Sequence, residues 1–401
     1  TGGTAHLGNG KVIENAAVGF EKGKITIVAD AAKIQIDKSK FEVIDITGKH
    51  LYPGFIAPNT TLGLRDIDQV RATLDFDEVG DIIPNVRTII AYNTDSEIIP
   101  TVRSNGVLLA QPTPKGGLIS GTSSIVELDG WNWEDAAYRI DDGIHLQWPK
   151  MFTSSGWWAE PGPIKKNKKR GMQLAKLEKF FQDAVSYYKS RHDMSSGVNL
   201  KLESMKGLFD GKKTLFMHTN YSKEIIESIK FAKKYSVKKI VIVGGKDAWM
   251  VADFLKQMDI AVILFRIHSL PSNKDDDIDL PYKMPYILHQ KGVLFCLNYM
   301  GGMEAMGQRN LPFIAGTAAA YGLTKEEALM LITSNTAKIL GIDKRVGTIE
   351  KGKDATLIVS TGDVLDIRTN NIEYAFIRGK KIDLDNKQKR LYRKFKAKYD
   401  K

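Results

Sequence analysis

From residue 214 onward, short apolar runs rich in β-branched residues alternate with amphipathic helical segments. This alternation constrains the fold more than any other feature of the sequence. Residues 214–218, 239–243, 261–264 and 293–297 read as strands. Residues 223–235, 247–258, 282–291, 311–321 and 325–340 read as helices. Alternation at this spacing implies a parallel sheet with right-handed crossovers. Upstream, 51–58 and 107–110 read as further buried strands. Leu174, Leu177, Phe181, Val185 and Tyr188 recur at helical spacing. Over a stretch as long as 53–344 a closed barrel fits better than an open doubly wound sheet, because no Gly-x-Gly-x-x-Gly follows a first strand. The expected class is α/β, a (β/α)8 TIM-like barrel.

The two ends read differently. Residues 18–20, 24–28 and 41–46 are β-rich runs separated by the turn formers Gly8-Asn9-Gly10 and Glu21-Lys22-Gly23-Lys24. Residues 355–360 and 372–377 repeat the pattern near the other end, where Arg378-Gly379-Lys380 forms a turn. Residues 1–52 together with 345–385 are therefore expected to build one small β-sandwich from both termini. Residues 386–401 read as a basic helical tail. The stretch 130–158 holds five of the six tryptophans and reads as an elaborate loop over the barrel mouth.

The formal net charge of +11 is concentrated in Lys165-Lys166-Asn167-Lys168-Lys169-Arg170 and in the tail 387–401. No zinc-finger spacing, RNP motif or helix-turn-helix signature accompanies it, so nucleic acid is not the expected partner. A solvated face, or a docking site for a protein partner or an anionic surface, is. No apolar run reaches the ~20 residues that a membrane-spanning helix needs. The single cysteine, Cys296, lies in an apolar run and is expected to pack in the core. It excludes an internal disulfide and fits either a reducing cytoplasm or a periplasmic protein that avoids thiols. The first residues, Thr1-Gly2-Gly3, read as a processed or truncated start.

Three segments carry a resemblance. They are Lys49-His50-Leu51-Tyr52-Pro53-Gly54-Phe55-Ile56-Ala57-Pro58-Asn59-Thr60-Thr61, then Thr333-Ser334-Asn335-Thr336-Ala337-Lys338-Ile339-Leu340-Gly341, then Val346-Gly347-Thr348-Ile349-Glu350-Lys351-Gly352-Lys353-Asp354-Ala355-Thr356-Leu357-Ile358-Val359. In this order and spacing the chain resembles the amidohydrolase superfamily, within it the imidazolonepropionase-like branch. The resemblance implies hydrolysis of non-peptide C–N bonds by one or two divalent metals at the carboxyl ends of the strands. There the metal lowers the pKa of a bound water to about 7.

Carried over residue by residue, the metal ligands implied by the resemblance are mostly missing. The two strand-one histidines correspond to Asn59 and Thr61. The strand-five histidine is His218, in His218-Thr219-Asn220. The strand-six position is Gly244, and the strand-eight aspartate falls near Met300. Amide and hydroxyl oxygens are feeble zinc ligands, so the ancestral metal site is expected to be degenerate and metal-free. Glu304, after strand eight, and His218 are the candidate catalytic residues. Asn59, Thr61, His218, Asn220 and His268 are the candidate ligand-binding residues. A rebuilt site would need Asp66, Asp68, Glu304, His268 and His289 to converge. For Glu304 the competing expectation is a solvated acid or helix cap, and for His268 a loop-packing role. His6, His50, His145 and His192 are expected to have no chemical role, and the acidic run Asp275-Asp276-Asp277-Ile278-Asp279 to be solvated.

Two functions follow. In the first, the barrel is a non-catalytic subunit or pseudoenzyme that pairs with a metal-bearing paralogue in a homo- or hetero-oligomer, with no cofactor. In the alternative it is a hydrolase of a cyclic amide or peptide-like substrate, with a rebuilt or metal-free site around His218. Zinc enters only there. Secreted bacterial relatives imply the periplasm or outer membrane after signal-peptide removal; the cytoplasm is the alternative.

Overall fold

The computed structural model describes residues 1–157, 160–190, 197–273 and 275–400; Trp158 and His192 lie outside them. Eight strands form one sheet that curves into a nearly closed barrel: β1 (Phe55–Thr60), β2 (Val107–Pro112), β3 (Ile119–Glu127), β4 (Ala137–Gln147), β5 (Thr214–Thr219), β6 (Ile240–Gly244), β7 (Ala261–Leu264) and β8 (Phe295–Leu297). Nearly every residue of these strands is buried, as a sheet covered on both faces requires. The helices Arg170–Lys189, Ser222–Lys234, Leu280–Gln290 and Leu311–Ala320 pack outside it. Cys296 is buried in β8.

The barrel departs from a regular (β/α)8 in one place. β3 runs antiparallel to both β2 and β4, while the remaining neighbours pair parallel. The cause is chain length. Only residues 113–118 join β2 to β3, and only 128–136 join β3 to β4. A parallel crossover needs a dozen or more residues, so the chain can only double back. The tryptophan-rich stretch is accordingly not a continuous loop, since it contains all of β4. Between β8 and β1 the gap is bridged by the segment linking helices Lys325–Met330 and Ser334–Ile339. Leu297 N–H donates to Leu331 O (3.1 Å) and Ile56 N–H to Ile332 O (3.0 Å). That segment also breaks the helix expected across 325–340.

Both ends of the chain contribute to a seven-stranded sheet, ordered Lys380–Lys381, Ile372–Ile377, Leu357–Ser360, His50–Pro53, Gly3–His6, Val12–Glu21, Lys24–Asp30. It curls around its own core of Ala5, Leu7, Ile25, Leu51, Ile349 and Leu357. Ile25 N–H reaches Lys353 O, and Ala355 N–H reaches Gly23 O. The two-residue hairpins at Lys22-Gly23 and Arg378-Gly379 have positive φ at both central positions (49° and 80°, 48° and 77°), the backbone that suits the twist of a tight hairpin. Residues 41–46 form no strand. Their backbone pairs with Thr1 at Ile44 and Ile46, Ile46 O accepts from Lys49 N–H in a turn, and the Asp45 carboxylate turns the chain by accepting from Thr47 N–H and Oγ1.

Asp354, in the third motif, joins this sheet to the barrel. Its carboxylate accepts from Tyr138 of β4 (2.7 Å), Arg345 and Lys24. A second tie runs from Glu326 through His6 (2.5 Å) to His50 (3.1 Å), with His6 stacked on Tyr52. Among the described residues no helix is long and apolar enough to cross a membrane.

Candidate functional site at the barrel mouth

The carboxyl ends of β1, β2 and β4–β8 open at one end of the barrel. The reversal of β3 brings its N-terminal end there too, with the 113–118 connection. Lys115 is thereby delivered to the mouth on a turn closed by Gly116 and Gly117, both at positive φ.

Glu304 is the centre of this end. It lies at the start of a short helix, Glu304–Gly307, and is 1% exposed, so it is neither a solvated acid nor a cap. Every lone-pair direction of its carboxylate is engaged. Oε1 accepts from Thr61 N–H (2.7 Å), Thr61 Oγ1 (2.5 Å) and Lys115 Nζ (3.1 Å). Oε2 accepts from Thr60 Oγ1 (2.8 Å) and Gln308 Nε2 (3.0 Å). Burial works to raise its pKa, but the Lys115 ammonium and the threonine donors outweigh it and hold the acid below its usual value. It is therefore a fixed anion.

The histidines form a second cluster. His145 Nδ1 and His218 Nε2 are 2.9 Å apart and share one proton. His145 stacks on Phe216 with ring centroids 4.7 Å apart. Burial, reinforced by nearby Lys115, pushes the half-buried His218 imidazole down to about 3; burial, then His218, lowers His145. Both stay neutral at pH 7. His145 Nε2 is buried with no partner among the described residues.

Below the mouth a buried polar ladder crosses four strands. Asn59 N–H donates to Gln111 Oε1 (3.0 Å). Gln111 Nε2 donates to Asp142 Oδ2 (2.7 Å), and Ser123 Oγ to Asp142 Oδ1 (2.7 Å). Burial raises the Asp142 pKa.

Of the residues expected from sequence, Asn59, Thr61, His218, Asn220 and Glu304 all sit at this end of the barrel. Asn59 has φ +47°, and the Oδ1 atoms of Asn59 and Asn220 are buried without a partner among the described residues. Gly244 is required sterically. At φ +108°, a Cβ would lie 2.6 Å from Asn220 Oδ1 and 2.8 Å from Thr219 O. Restoring an imidazole by Gly244→His is expected to destabilise the barrel by about 1–3 kcal/mol through backbone strain and a similar amount through overpacking. Urea unfolding measures it, and a wild-type midpoint would contradict this steric account. Met300 packs against the core, while Asn298 makes the contact across to β1, its Nδ2 donating to Pro58 O and Asn59 O.

The other candidates do not converge. His268 bonds to Thr317 Oγ1 (2.6 Å), Asp66 to Asn93 (3.1 Å), Asp68 pairs with Arg65 (3.5 Å) and His289 with Glu327 (3.2 Å). Asp277 and Asp279 pair with Lys283. Sequence reasoning missed Lys115, His145 and Gln308. For His145 the available signal was its place in the alternating run Asp142-Gly143-Ile144-His145-Leu146; Lys115 offered none beyond a Gly-Gly turn after a strand.

Residues 289–382 match the model of the amidohydrolase family, a stretch that contains the second and third motifs but not the first. An amidohydrolase from Thermotoga maritima superposes with a TM-score of 0.80 at 22% identity, over 95% of this chain and 98% of that one. A Xaa-Pro dipeptidase solved with methionine in its active site gives 0.56 at 13% identity, over 95% and 98%. An adenosine deaminase from Xanthomonas campestris, solved with bound zinc, gives 0.54 at 13% identity, over 99% and 96%. No curated protein matches the sequence. Among the described residues no three His, Cys, Asp or Glu side chains group to hold a metal, and the Glu304 oxygens are taken by five donors. In backbone fold the chain is that of solved amidohydrolases, and residues 289–382 carry the sequence pattern of that family.

Proposed function

We propose that this chain is an amidohydrolase-superfamily barrel, of the imidazolonepropionase-like branch, working as a pseudoenzyme that binds a ligand rather than hydrolysing one. The observation that carries the reading is the Lys115–Glu304 pair. A lysine ammonium neutralises the one carboxylate that, among the described residues, bonds to the strand-one positions, where the resemblance calls for a metal. With Glu304 locked as an anion and His218 tied to His145, neither catalytic candidate is poised to activate water. The mouth has unspent acceptors instead. Asn59, Asn220 and Asn298 Oδ1 and Gln308 Oε1 have no protein partner among the described residues. The Asn298 and Gln308 orientations are fixed, because their nitrogens already donate to carbonyl or carboxylate oxygens. A set of buried acceptors without donors suits a small ligand rich in N–H groups, such as an amine or a cyclic amide.

In this reading the composite sheet of 1–52 and 345–385 supports the 53–344 barrel, and an active paralogue, joined in an oligomer, supplies any chemistry. The test is elemental analysis of protein produced in zinc-supplemented medium, with assays on Xaa-Pro dipeptides and cyclic amides. Zinc well below one equivalent and no turnover are expected. One equivalent of zinc, with turnover lost in His218→Ala, would overturn it. The second reading, a metal-free hydrolase, draws support from the neutral His145–His218 pair. It requires turnover that survives chelation and disappears in both His145→Ala and His218→Ala.

A further inference from the structure

The helix Lys387–Lys396 carries Lys387, Lys389, Arg390, Arg393, Lys394 and Lys396 and no acidic residue. Only its first turns are held to the body. Asn386 Nδ2 donates to Ser104 Oγ (3.0 Å), Thr101 Oγ1 donates to Gln388 Oε1 (2.8 Å), and Arg390 pairs with Glu97 (2.9 Å). Beyond that, the side chains at i, i+1 and i+4 from Leu391 share one face, and all are exposed: Leu391, Tyr392 and Phe395, with Tyr399 following in the last turn. The neighbouring loop adds Trp131, 90% exposed, whose carbonyl accepts from Thr94 Oγ1 in the segment leading to Glu97. Exposed apolar and aromatic groups bordered by cations thus come from two parts of the chain, both tied to the segment 94–97.

We propose that this face, the C-terminal helix with Trp131, docks on an anionic lipid surface. Leucine and phenylalanine enter the acyl boundary, tyrosine and tryptophan suit the headgroup level, and the lysines reach lipid phosphates, which is how interfacial helices divide the work. Charge selects this occupant over a second copy, because a twofold contact would set one cationic helix against another in a chain of net charge +11.

The test is flotation of the full chain with vesicles of phosphatidylcholine alone or mixed with phosphatidylglycerol. Binding is expected to be at least about tenfold tighter to the mixed vesicles, to weaken in high salt, and to blue-shift tryptophan emission. Tyr392→Ser/Phe395→Ser and Lys394→Glu/Lys398→Glu should each lower it about tenfold or more, with an unchanged thermal midpoint since these residues are exposed. Lys165→Glu/Lys166→Glu, at exposed positions of the separate antiparallel strand pair Phe152–Trp157 and Glu160–Lys166, should bind as wild type. Three results would sink the proposal: equal or no binding to the two vesicle types, an equal loss in the Lys165/Lys166 variant, or helix variants that bind vesicles normally but lose self-association or DNA binding.

Discussion

Glu304→Ala is expected to destabilise the barrel by about 3–5 kcal/mol, the cost of leaving several buried donors without their acceptor at about 1–3 kcal/mol each. The substitution strands Thr60 Oγ1, Thr61 N–H, Thr61 Oγ1 and Gln308 Nε2 around an empty space where they cannot turn to bulk water, while the one-third-exposed Lys115 side chain can swing outward. Lys115→Met acts from the opposite side. It removes the ammonium that keeps the acid ionised against burial, so Glu304 should take up a proton at a higher pH than in the wild type. The double variant Lys115→Met/Glu304→Leu should cost less than the sum of the two, because neither partner is left behind. Urea unfolding of the three proteins checks this. A Glu304→Ala protein as stable as wild type would mean that the carboxylate is not the structural keystone of the mouth.

Acid should weaken the fold well above the range in which carboxylates titrate. Burial depresses both His145 and His218, His218 to about 3, from an ordinary value of 6.5. Below pH 6.5 the unfolded chain binds protons at both rings while the folded chain does not. Stability therefore falls with decreasing pH by about 1.4 kcal/mol per unit for each histidine, until the folded rings themselves protonate. Glu304 adds to the loss only at lower pH, as the medium falls through its depressed folded value. Unfolding free energies at pH 7, 6 and 5 should show this slope in the wild type. The slope should be flatter in His145→Gln/His218→Gln, whatever that variant's absolute stability. Parallel slopes would refute the neutral-pair account.

What could be read from the sequence is what local chemistry decides. The hairpins at Lys22-Gly23 and Arg378-Gly379 follow from turn residues two positions wide, and Gly352 at φ +90° follows from the need to turn after Lys351. The strands from 214 onward announce themselves by composition. Asn59, Thr61 and His218 could be placed at the mouth because the motif around Pro53-Gly54 fixes the end of β1. What could not be read depends on partners far away in the chain. Lys115 and Glu304 are 189 residues apart, and a lysine before two glycines looks like any loop cation. His145 looks inert until β4 and β5 pair and set it against His218. The reversal of β3 was hidden because tryptophans concealed β4, and only the length of the connections reveals it.

That reversal also decides how the molecule would sit on a bilayer. Because β3 runs backwards, its trailing connection, with Trp131, emerges at the far end of the barrel, close to where Asn386 bonds to Ser104 just ahead of β2. Both lipid-seeking elements hang from the floor of the barrel. A chain resting on lipid by its floor keeps its opening turned toward the aqueous phase, free to receive dissolved molecules while the body stays moored.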